Sequence, residues 1–160
     1  MQIKLPFDSS KSISGEASIE INKPAKDVFS FVAENLFVNY PKWAVEVIEL
    51  QPLDGDQVFI GAKAKQIRKD NDTVVESIFE ITEYKPDLAL IFQGLTAPYK
   101  HTYLVEANEQ SNPTRLTFRF ELLEIEIFMR PFEKLIRVAI EDGVENTVEN
   151  IKDLLTQECN

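Results

Sequence analysis

The sequence predicts an α+β domain in which one long helix lies across a curved, seven-stranded antiparallel sheet. Three observations carry this prediction. Apolar residues alternate with period two over most of residues 12–124, a short helical stripe interrupts them after residue 21, and a helical period takes over after residue 130. Because a sheet of this size twists, it curls and offers a concave face to an amphipathic helix.

The first strand is followed by a short pair of helices. In residues 12–21 the apolar residues share one parity while serine and glutamate hold the other, which is typical of a half-buried strand. Apolar residues then recur at helical spacing at Ala25, Val28, Phe29 and Val32. Asn22 is the expected N-cap of this helix, with Pro24 in its first turn. We expect one or two further turns of helix before Pro41 ends it.

Six more strands and a long helix complete the predicted fold. Turn-forming segments such as LDGD, KDND and KPD separate β-rich runs, and such short connections favour an antiparallel meander. The predicted strands are 44–52, 57–68, 73–84, 88–95, 99–107 and 114–124. A helix over 130–156 would be about 40 Å long. Its apolar stripe is Phe132, Leu135, Ile136, Ala139, Ile140, Val144, Val148, Ile151 and Leu155. Since no repeat or linker is found, residues 1–160 are predicted to form one domain with its core in 12–156.

Composition and charge restrict the classes of partner. The 160 residues include 17 Lys and Arg against 27 Asp and Glu, which gives a net charge of −10, and the basic residues are scattered. Nucleic acids and anionic lipid surfaces require clustered basic residues, so neither is expected as a partner. No apolar run approaches the roughly 20 residues that span a bilayer, and the first residues lack the apolar stretch of a secretory signal. We therefore expect a cytoplasmic protein without integral membrane association.

The scarcity of cysteine and histidine bears on disulfides and metals. A lone Cys159 excludes an internal disulfide, and one histidine with one distant cysteine argues against a metal site. The glycines are too dispersed to form a phosphate-binding loop. No metal and no cofactor are therefore expected.

A helix on a concave sheet touches it more easily at the rims than at the centre, which predicts an internal cavity. The inner face carries small residues at Ala62, Ala64 and Ser77, and Gly143 removes bulk from the middle of the helix. Strand parity and the helical stripe predict a mainly apolar lining, which is typical of a small-molecule pocket. The predicted lining residues are Ala62, Ala64, Ser77, Phe79, Phe92, Tyr99, His101, Tyr103, Phe118, Phe120, Ile136, Ala139, Ile140 and Gly143. The alternative is a filled core, in which large neighbours such as Phe79 occupy the space.

Two stretches of the sequence resemble a known family. The phrase from Ile19 to Trp43, IEINKPAKDVFSFVAENLFVNYPKW, and the long C-terminal helix after TRLTFRFEL are similar to the START-like polyketide cyclase/lipid-transport superfamily (SRPBCC), which includes the major birch pollen allergen. The similarity runs over residues 13–156. It implies a helix-grip fold with a hydrophobic cavity beneath the last helix, and the binding of lipids, polyketides, quinones or other apolar small molecules. The cyclase-type enzymes of this superfamily work with polar cavity groups and need no metal.

His101 is the only histidine and hence the candidate general acid or base. Its parity places it inward between Tyr99 and Tyr103, and the alternative is an unreactive histidine in the core or at the rim. Arg68 either anchors a carboxylate or enolate oxygen or lies in solvent at a strand end. The inward polar residues by parity are Gln66, Arg68, Ser77, Tyr99, His101 and Tyr103.

Two groups of apolar and aromatic residues border the expected mouth of the cavity. Tyr40 and Trp43 are placed to cap it, unless Trp43 serves as a packing anchor between the helices and the sheet. On the other side, the segment before and at the start of the long helix forms either an opposite lip or part of the helix's core stripe. Its residues are Phe128, Phe132, Leu135 and Ile136.

Three functions are compatible with this sequence. The leading hypothesis is a protein that binds, or binds and transports, a hydrophobic or aromatic small molecule such as a lipid, polyketide or quinone between the sheet and the last helix. The second is an enzyme that cyclises or dehydrates a polyketide-like substrate with His101 as proton shuttle. The third is a protein-interaction module, which an exposed apolar patch of several hundred Å² together with a solid interior would favour. The sequence leaves the ligand and the oligomeric state open.

Overall fold

The computed structural model describes residues 12–108 and 113–157. Within them the strands are β1 (Ile13–Ile21), β2 (Val47–Pro52), β3 (Lys63–Asp70), β4 (Thr73–Lys85), β5 (Ala89–Gly94), β6 (Tyr99–Ala107) and β7 (Thr114–Leu122). The α-helices of the same residues are α1 (Ala25–Phe29), α2 (Leu36–Trp43) and α3 (Glu133–Gln157). A π-turn at Ser30–Glu34 separates α1 from α2, and a 3₁₀ turn at Ile127–Phe132 leads into α3. This element order confirms the predicted α+β fold.

All seven strands belong to one antiparallel sheet with the order β1-β7-β6-β5-β4-β3-β2 in the described residues. Only β1 leaves the sequential order, since it pairs with β7 from Ile13 opposite Leu122 to Ile21 opposite Thr114. The chain therefore enters α3 from the strand beside β1, and α3 packs mainly on β1 and β7. Gly15 allows this close approach, because a Cβ there would lie 2.8 Å from Cγ2 of Ile140.

The helices after β1 follow the prediction in place but not in detail. Pro24 rather than Asn22 is the N-cap of α1, since its carbonyl accepts the first helical bonds from Asp27 and Val28. Pro41 does not end the helix at its own position but lies inside α2, which stops two residues later at Trp43. Its missing N–H removes one bond of a helix that is already ending.

The π-turn between α1 and α2 is satisfied by a side chain. Asn35 N–H donates to the Ser30 carbonyl, five residues back, and so bypasses the carbonyl of Phe31. The side-chain amide of Asn39 donates to that carbonyl instead, at 2.9 Å. Because Asn39 is buried and makes this bond, the turn tilts α2 across the sheet without leaving a buried acceptor unpaired.

The structure corrects one strand prediction and adds a bulge to another strand. Residues 57–62 are not part of a strand, because Gly61 adopts a φ of +98° and turns the chain just before β3 begins at Lys63. In β4 the register shifts between Ile81 and Glu83. This bulge brings Tyr84 to the inner face, where its ring centroid lies 5.4 Å from that of Phe29.

The two halves of α3 differ in how they meet the sheet. The buried residues of the helix are Val144, Val148, Ile151 and Leu155, all in its second half. The prediction that Phe132 and Leu135 belong to the core stripe is wrong, since Leu135 is 69% exposed and Phe132 50% exposed. Phe128 in the preceding 3₁₀ turn is exposed as well. The first half of α3 is therefore less closely packed than the second, although Ile140 still approaches Gly15 of β1. No helix of the described residues is long and apolar enough to cross a membrane.

Candidate ligand cavity between the sheet and the last helix

A cavity of about 740 Å³ lies between the stretch of α3 from Ile136 to Asn150 and the β6–β7 part of the sheet, with α2 at one end. This volume falls in the range of small-molecule pockets. Its lining residues are Tyr40, Trp43, Ala44, Val45, Glu46, Arg68, His101, Tyr103, Phe118, Phe120, Leu122, Ile136, Ala139, Ile140, Gly143, Val144, Asn146, Thr147 and Asn150. The predicted lining residues among them are His101, Tyr103, Phe118, Phe120, Ile136, Ala139, Ile140 and Gly143. Their part in binding a ligand stays a prediction.

The floor of the cavity is made by alternate residues of two paired strands. In β6 and β7, His101 lies opposite Phe120 and Tyr103 lies opposite Phe118. Because side chains of one parity share a face, all four rings point to the same side of the sheet. Tyr103 and Phe118 are 4.8 Å apart between ring centroids, so this floor is continuous and mainly aromatic.

The roof is the inner face of α3. Ile136, Ala139 and Ile140 supply its apolar part, and a Cβ placed on Gly143 would meet no other atom within 4 Å. Continuing at helical spacing, Gly143 is followed on the same face by Asn146, Thr147 and Asn150. The roof therefore changes from apolar to polar along the helix.

Sequence reasoning missed this polar end of the roof, as well as the segment from Ala44 to Glu46. The spacing of three, four and seven residues from Gly143 to Asn146, Thr147 and Asn150 was the available signal. The loop after α2 carries no periodic pattern, so its place at the cavity depends on how α2 is tilted.

His101 is 7% exposed and is held in a cluster of rings. It stacks on Phe92, at 4.3 Å between ring centroids. Four further rings approach it in edge-on arrangements at 5.3 to 6.1 Å, namely Tyr40, Tyr99, Phe118 and Phe120. Its Nδ1 atom is completely buried and has no hydrogen-bond partner among the residues that the structure describes.

The environment of His101 sets its protonation state. Burial lowers the pKa of the imidazole from 6.5 to about 3, and the positive charge of Arg68 adds to this lowering. The side chain is therefore neutral at physiological pH. A neutral imidazole offers one donor and one acceptor, and as a proton acceptor it is a weak base with such a pKa.

Two of the predicted lining residues, Ser77 and Tyr99, form a hydrogen-bond network in the core with Gln66 of β3 and Tyr40 of α2. Tyr40 OH donates to Oε1 of Gln66 at 3.0 Å, and Nε2 of Gln66 donates to Ser77 Oγ and Tyr99 OH at 3.2 and 3.1 Å. Ser77 and Tyr99 are also hydrogen-bonded to each other at 3.0 Å. Ser77 and Tyr99 were expected to face the ligand, but their polar atoms are taken up by Gln66.

The remaining predicted lining residues are corrected for the same structural reason. Ala62, Ala64, Phe79 and Phe92 are completely buried in the hydrophobic core and do not border the cavity. The ring of Tyr40 lies 6.1 Å from Phe79 and 5.5 Å from Phe92 between centroids. Since α2 places Tyr40 over β3 to β5, that half of the sheet is filled, and the cavity is confined to the half under α3.

Trp43 serves as a packing anchor and as part of the cavity wall. Its side chain is buried, its ring centroid is 5.9 Å from that of Phe31, and its Nε1 donates to Tyr103 OH at 3.3 Å. Its carbonyl accepts a hydrogen bond from Asn150 Nδ2 at 3.1 Å, which ties α2 to α3. The hydroxyl oxygen of Tyr103 accepts the hydrogen bond from Trp43. Burial raises the pKa of Tyr103, so the hydroxyl group keeps its proton.

Arg68 lines the cavity, but its charge is compensated. Its guanidinium forms an ion pair with Asp70 at 3.2 Å. The carboxylate of Glu46 borders the same cavity, and its charge acts on Arg68. The expected anchor for an anionic ligand is therefore already balanced by acidic neighbours.

The described residues contain no group of three or more His, Cys, Asp or Glu side chains that could hold a metal ion. Cys159, named in the sequence analysis, lies outside the described residues. The expectation that the protein uses no metal or cofactor stays a prediction.

Comparison with protein families gives one match, and it covers nearly the whole chain. The profile of the family described as "Polyketide cyclase / dehydrase and lipid transport" matches residues 12–156. No curated protein matches this sequence.

Several solved structures share the fold at low sequence identity. TTHA0849 from Thermus thermophilus has a TM-score of 0.74 and 16% identity, covering 92% of this chain and 99% of that one. The di-domain ARO/CYC StfQ from the steffimycin biosynthetic pathway has a TM-score of 0.73 and 10% identity, covering 95% of this chain and 53% of that one. Truncated norcoclaurine synthase from Thalictrum flavum has a TM-score of 0.69 and 13% identity, covering 90% and 93%. At these identities the likeness shows the helix-grip fold.

Proposed function

This chain belongs to the polyketide cyclase/dehydrase and lipid transport family, and on that premise we propose that it binds a hydrophobic or aromatic small molecule in the cavity under α3. The ligand classes that the family suggests are lipids, polyketides and quinones. A cytoplasmic location and the absence of nucleic-acid partners are part of the same proposal, and both rest on the sequence.

The observation that carries this proposal is the cavity itself, with its volume of about 740 Å³ and its mainly aromatic and aliphatic walls. Binding would come from the apolar surface removed from water, at roughly 25 cal/mol per Å² before the costs of ordering. Tyr103 and His101 on the floor and the asparagines of α3 on the roof supply a few polar atoms that orient the ligand.

Binding is favoured over a cyclase-type reaction by the state of His101. A proton shuttle works best with a pKa close to the working pH, whereas burial and Arg68 lower the pKa of this imidazole to about 3. A role as a protein-interaction module is disfavoured too, because it was expected with an exposed apolar patch over a solid interior, whereas a cavity of about 740 Å³ lies under α3.

The test fills the cavity from its roof. Ala139→Phe adds a ring at a cavity-lining position of α3, and Val138→Phe adds a ring at the neighbouring exposed position. Binding of an uncharged fluorescent dye, Nile red, is measured for both variants and the wild type. We expect Ala139→Phe to weaken binding at least tenfold, because the added ring takes ligand volume, while Val138→Phe binds as the wild type does.

Purified wild-type protein is also extracted with organic solvent, and the extract is examined by mass spectrometry for a co-purified apolar molecule. The proposal is wrong if no molecule is extracted and Nile red does not bind, or if both phenylalanine variants reduce binding equally. Circular dichroism and thermal unfolding show whether each variant is folded.

A further inference from the structure

We propose that the ligand is an uncharged aromatic alcohol, a phenol in the broad sense, whose hydroxyl group donates a hydrogen bond to Nε2 of His101. This inference rests on the proposed function, since it names the chemistry of the ligand that the cavity would hold. Four features carry it: the fixed orientation of the imidazole, the inequality of its two nitrogens, the balanced charge of the cavity, and the aromatic floor.

The imidazole of His101 is fixed before any ligand arrives. The register of the sheet sets it between Phe92 on β5 and Phe120 on β7. The stack on Phe92, with ring planes 27° apart, is continued by Phe79, which stacks on Phe92 at 4.1 Å. Since Tyr40 of α2 closes on it from above the sheet, the ring has little freedom to turn. A polar group held in this way is preorganised for a ligand.

The two ring nitrogens differ in what surrounds them. Nδ1 is completely buried without a hydrogen-bond partner, while Nε2 lies on the far side of the ring from the backbone. Because His101 borders the cavity, Nε2 is the nitrogen that a ligand can reach. We place the single ring proton of this neutral imidazole on the enclosed Nδ1, for which the described residues supply no hydrogen-bond partner. This tautomer leaves the lone pair on Nε2, which accepts from a hydroxyl group.

The charges around the cavity favour a neutral ligand over an anion. The positive group of the lining is Arg68, and it is paired with Asp70 at 3.2 Å. Glu46 adds a carboxylate to the same wall. A fatty acid or other carboxylate would have to bring its charge next to these acids or compete with Asp70 for the guanidinium. An uncharged hydroxyl group is not repelled by these carboxylates and does not compete with Asp70 for the guanidinium.

The floor under this polar atom fits a planar ring. Tyr103, Phe118 and Phe120 border the cavity beside His101, and aromatic pairs contribute beyond the area that they bury. A ligand whose hydroxyl is attached directly to a ring lets one molecule use both the acceptor and the aromatic floor.

The test compares three naphthalene probes that differ only in the substituent at position 2: 2-naphthol, 2-methoxynaphthalene and 2-naphthoate. Their affinities are measured by calorimetry or ligand fluorescence for the wild type and for His101→Phe, which keeps a ring in the cluster but removes the acceptor. We expect the wild type to bind 2-naphthol about tenfold more tightly than its methyl ether, because the ether leaves Nε2 without a donor. In His101→Phe this ratio should fall close to one. Leu135→Ala, at an exposed position outside the cavity, is the control and should keep the wild-type ratio.

The outcomes separate this inference from the proposed function. If neither neutral probe binds, both are wrong. If the ether binds as well as 2-naphthol, if the carboxylate binds most tightly, or if the ratio survives in His101→Phe, the cavity binds ligands but the assigned hydrogen bond is wrong.

A second measurement does not depend on a variant. As His101 is the only histidine of the chain, a protein labelled with ¹⁵N-histidine gives one pair of ring-nitrogen signals. We expect a neutral ring with its proton on Nδ1, and a shift of the Nε2 signal with 2-naphthol but not with its methyl ether. A proton found on Nε2 in the free and the ligand-bound protein would overturn the inference.

Discussion

At the level of one residue, two effects lower the pKa of His101. Its ring is enclosed by aromatic side chains, which removes water from the imidazole. The guanidinium of Arg68 adds a positive charge nearby, and both effects disfavour the imidazolium form. The sole histidine is therefore a neutral polar group fixed in an apolar wall, which suits recognition better than proton transfer.

Stability should depend on pH through this residue. The pKa of His101 is about 3 in the folded protein against 6.5 as the ordinary value, so between these values the unfolded chain binds a proton that the folded chain does not. Unfolding free energy therefore falls as pH decreases below about 6.5, by up to about 1.4 kcal/mol per pH unit. We expect wild-type protein to lose about 2 kcal/mol more than His101→Phe between pH 7.5 and 5, as measured by urea unfolding.

The comparison with His101→Phe isolates the histidine because the other groups titrate in both proteins. Tyr40, Tyr99 and Tyr103 stay protonated in this pH range, because burial raises their pKa values. Equal pH dependence of the two proteins would show that the imidazole is not buried as described.

Gln66 illustrates why a polar residue on the inner face need not face a ligand. Its amide accepts from Tyr40 and donates to Ser77 and Tyr99. An amide can serve several partners at once, so one side chain satisfies three hydroxyl groups in the core. The network joins α2 to β3, β4 and β6 and holds Tyr40 over the filled half of the sheet.

At the level of elements, α3 is one helix with two different roles. Its second half is packed on the sheet through residues such as Val148 and Ile151, which are almost completely buried. Its first half covers the cavity with Ile136 and Ile140 and exposes Leu135 and Val138 to solvent. The helix is anchored through its second half, which holds all of its buried residues.

This division predicts a large difference between two substitutions in the same helix. Ile151→Ala should lower the unfolding free energy by about 2–5 kcal/mol, because it leaves a cavity in the packed core. Leu135→Ala should change it by less than about 0.5 kcal/mol, because that side chain is exposed. Chemical unfolding of both variants provides the comparison. Similar losses would mean that the first half of α3 is packed as tightly as the second.

At the scale of the whole molecule, the cavity couples ligand binding to stability. A ligand that binds the folded state alone stabilises it according to its concentration and affinity. Its contacts would join the first half of α3 to β6 and β7, the interface that is hollow without a ligand.

We expect a saturating neutral probe, 2-naphthol, to raise the melting temperature and to slow hydrogen exchange chiefly in residues 133–143 of α3. Residues 144–157 border the cavity only up to Asn150 and are already held to the sheet by Val148, Ile151 and Leu155, so their exchange should change less. Hydrogen exchange followed by mass spectrometry measures both halves in one experiment. Slowing that is equal in both halves, or confined to the second, would contradict the position of the cavity.

The sequence alone determined the fold, because strands and helices each space their apolar residues at a characteristic interval along the chain. The inward parity of His101, Tyr103, Phe118 and Phe120 was predicted in this way, and the structure places all four on the cavity floor. The long helix and the strands were predicted within a few residues for the same reason. Where a prediction of this kind failed, as at residues 57–62, a turn at Gly61 interrupted an otherwise regular pattern.

Only the tertiary structure decided which part of the inner face is core and which part is cavity. Phe79 and Phe118 have the same inward parity, yet Tyr40 packs on Phe79, while Phe118 borders open space. The difference lies in what stands opposite each residue, which depends on the tilt of α2 and on the anchoring of α3 through its second half. These are long-range properties, and no local period in the sequence records them.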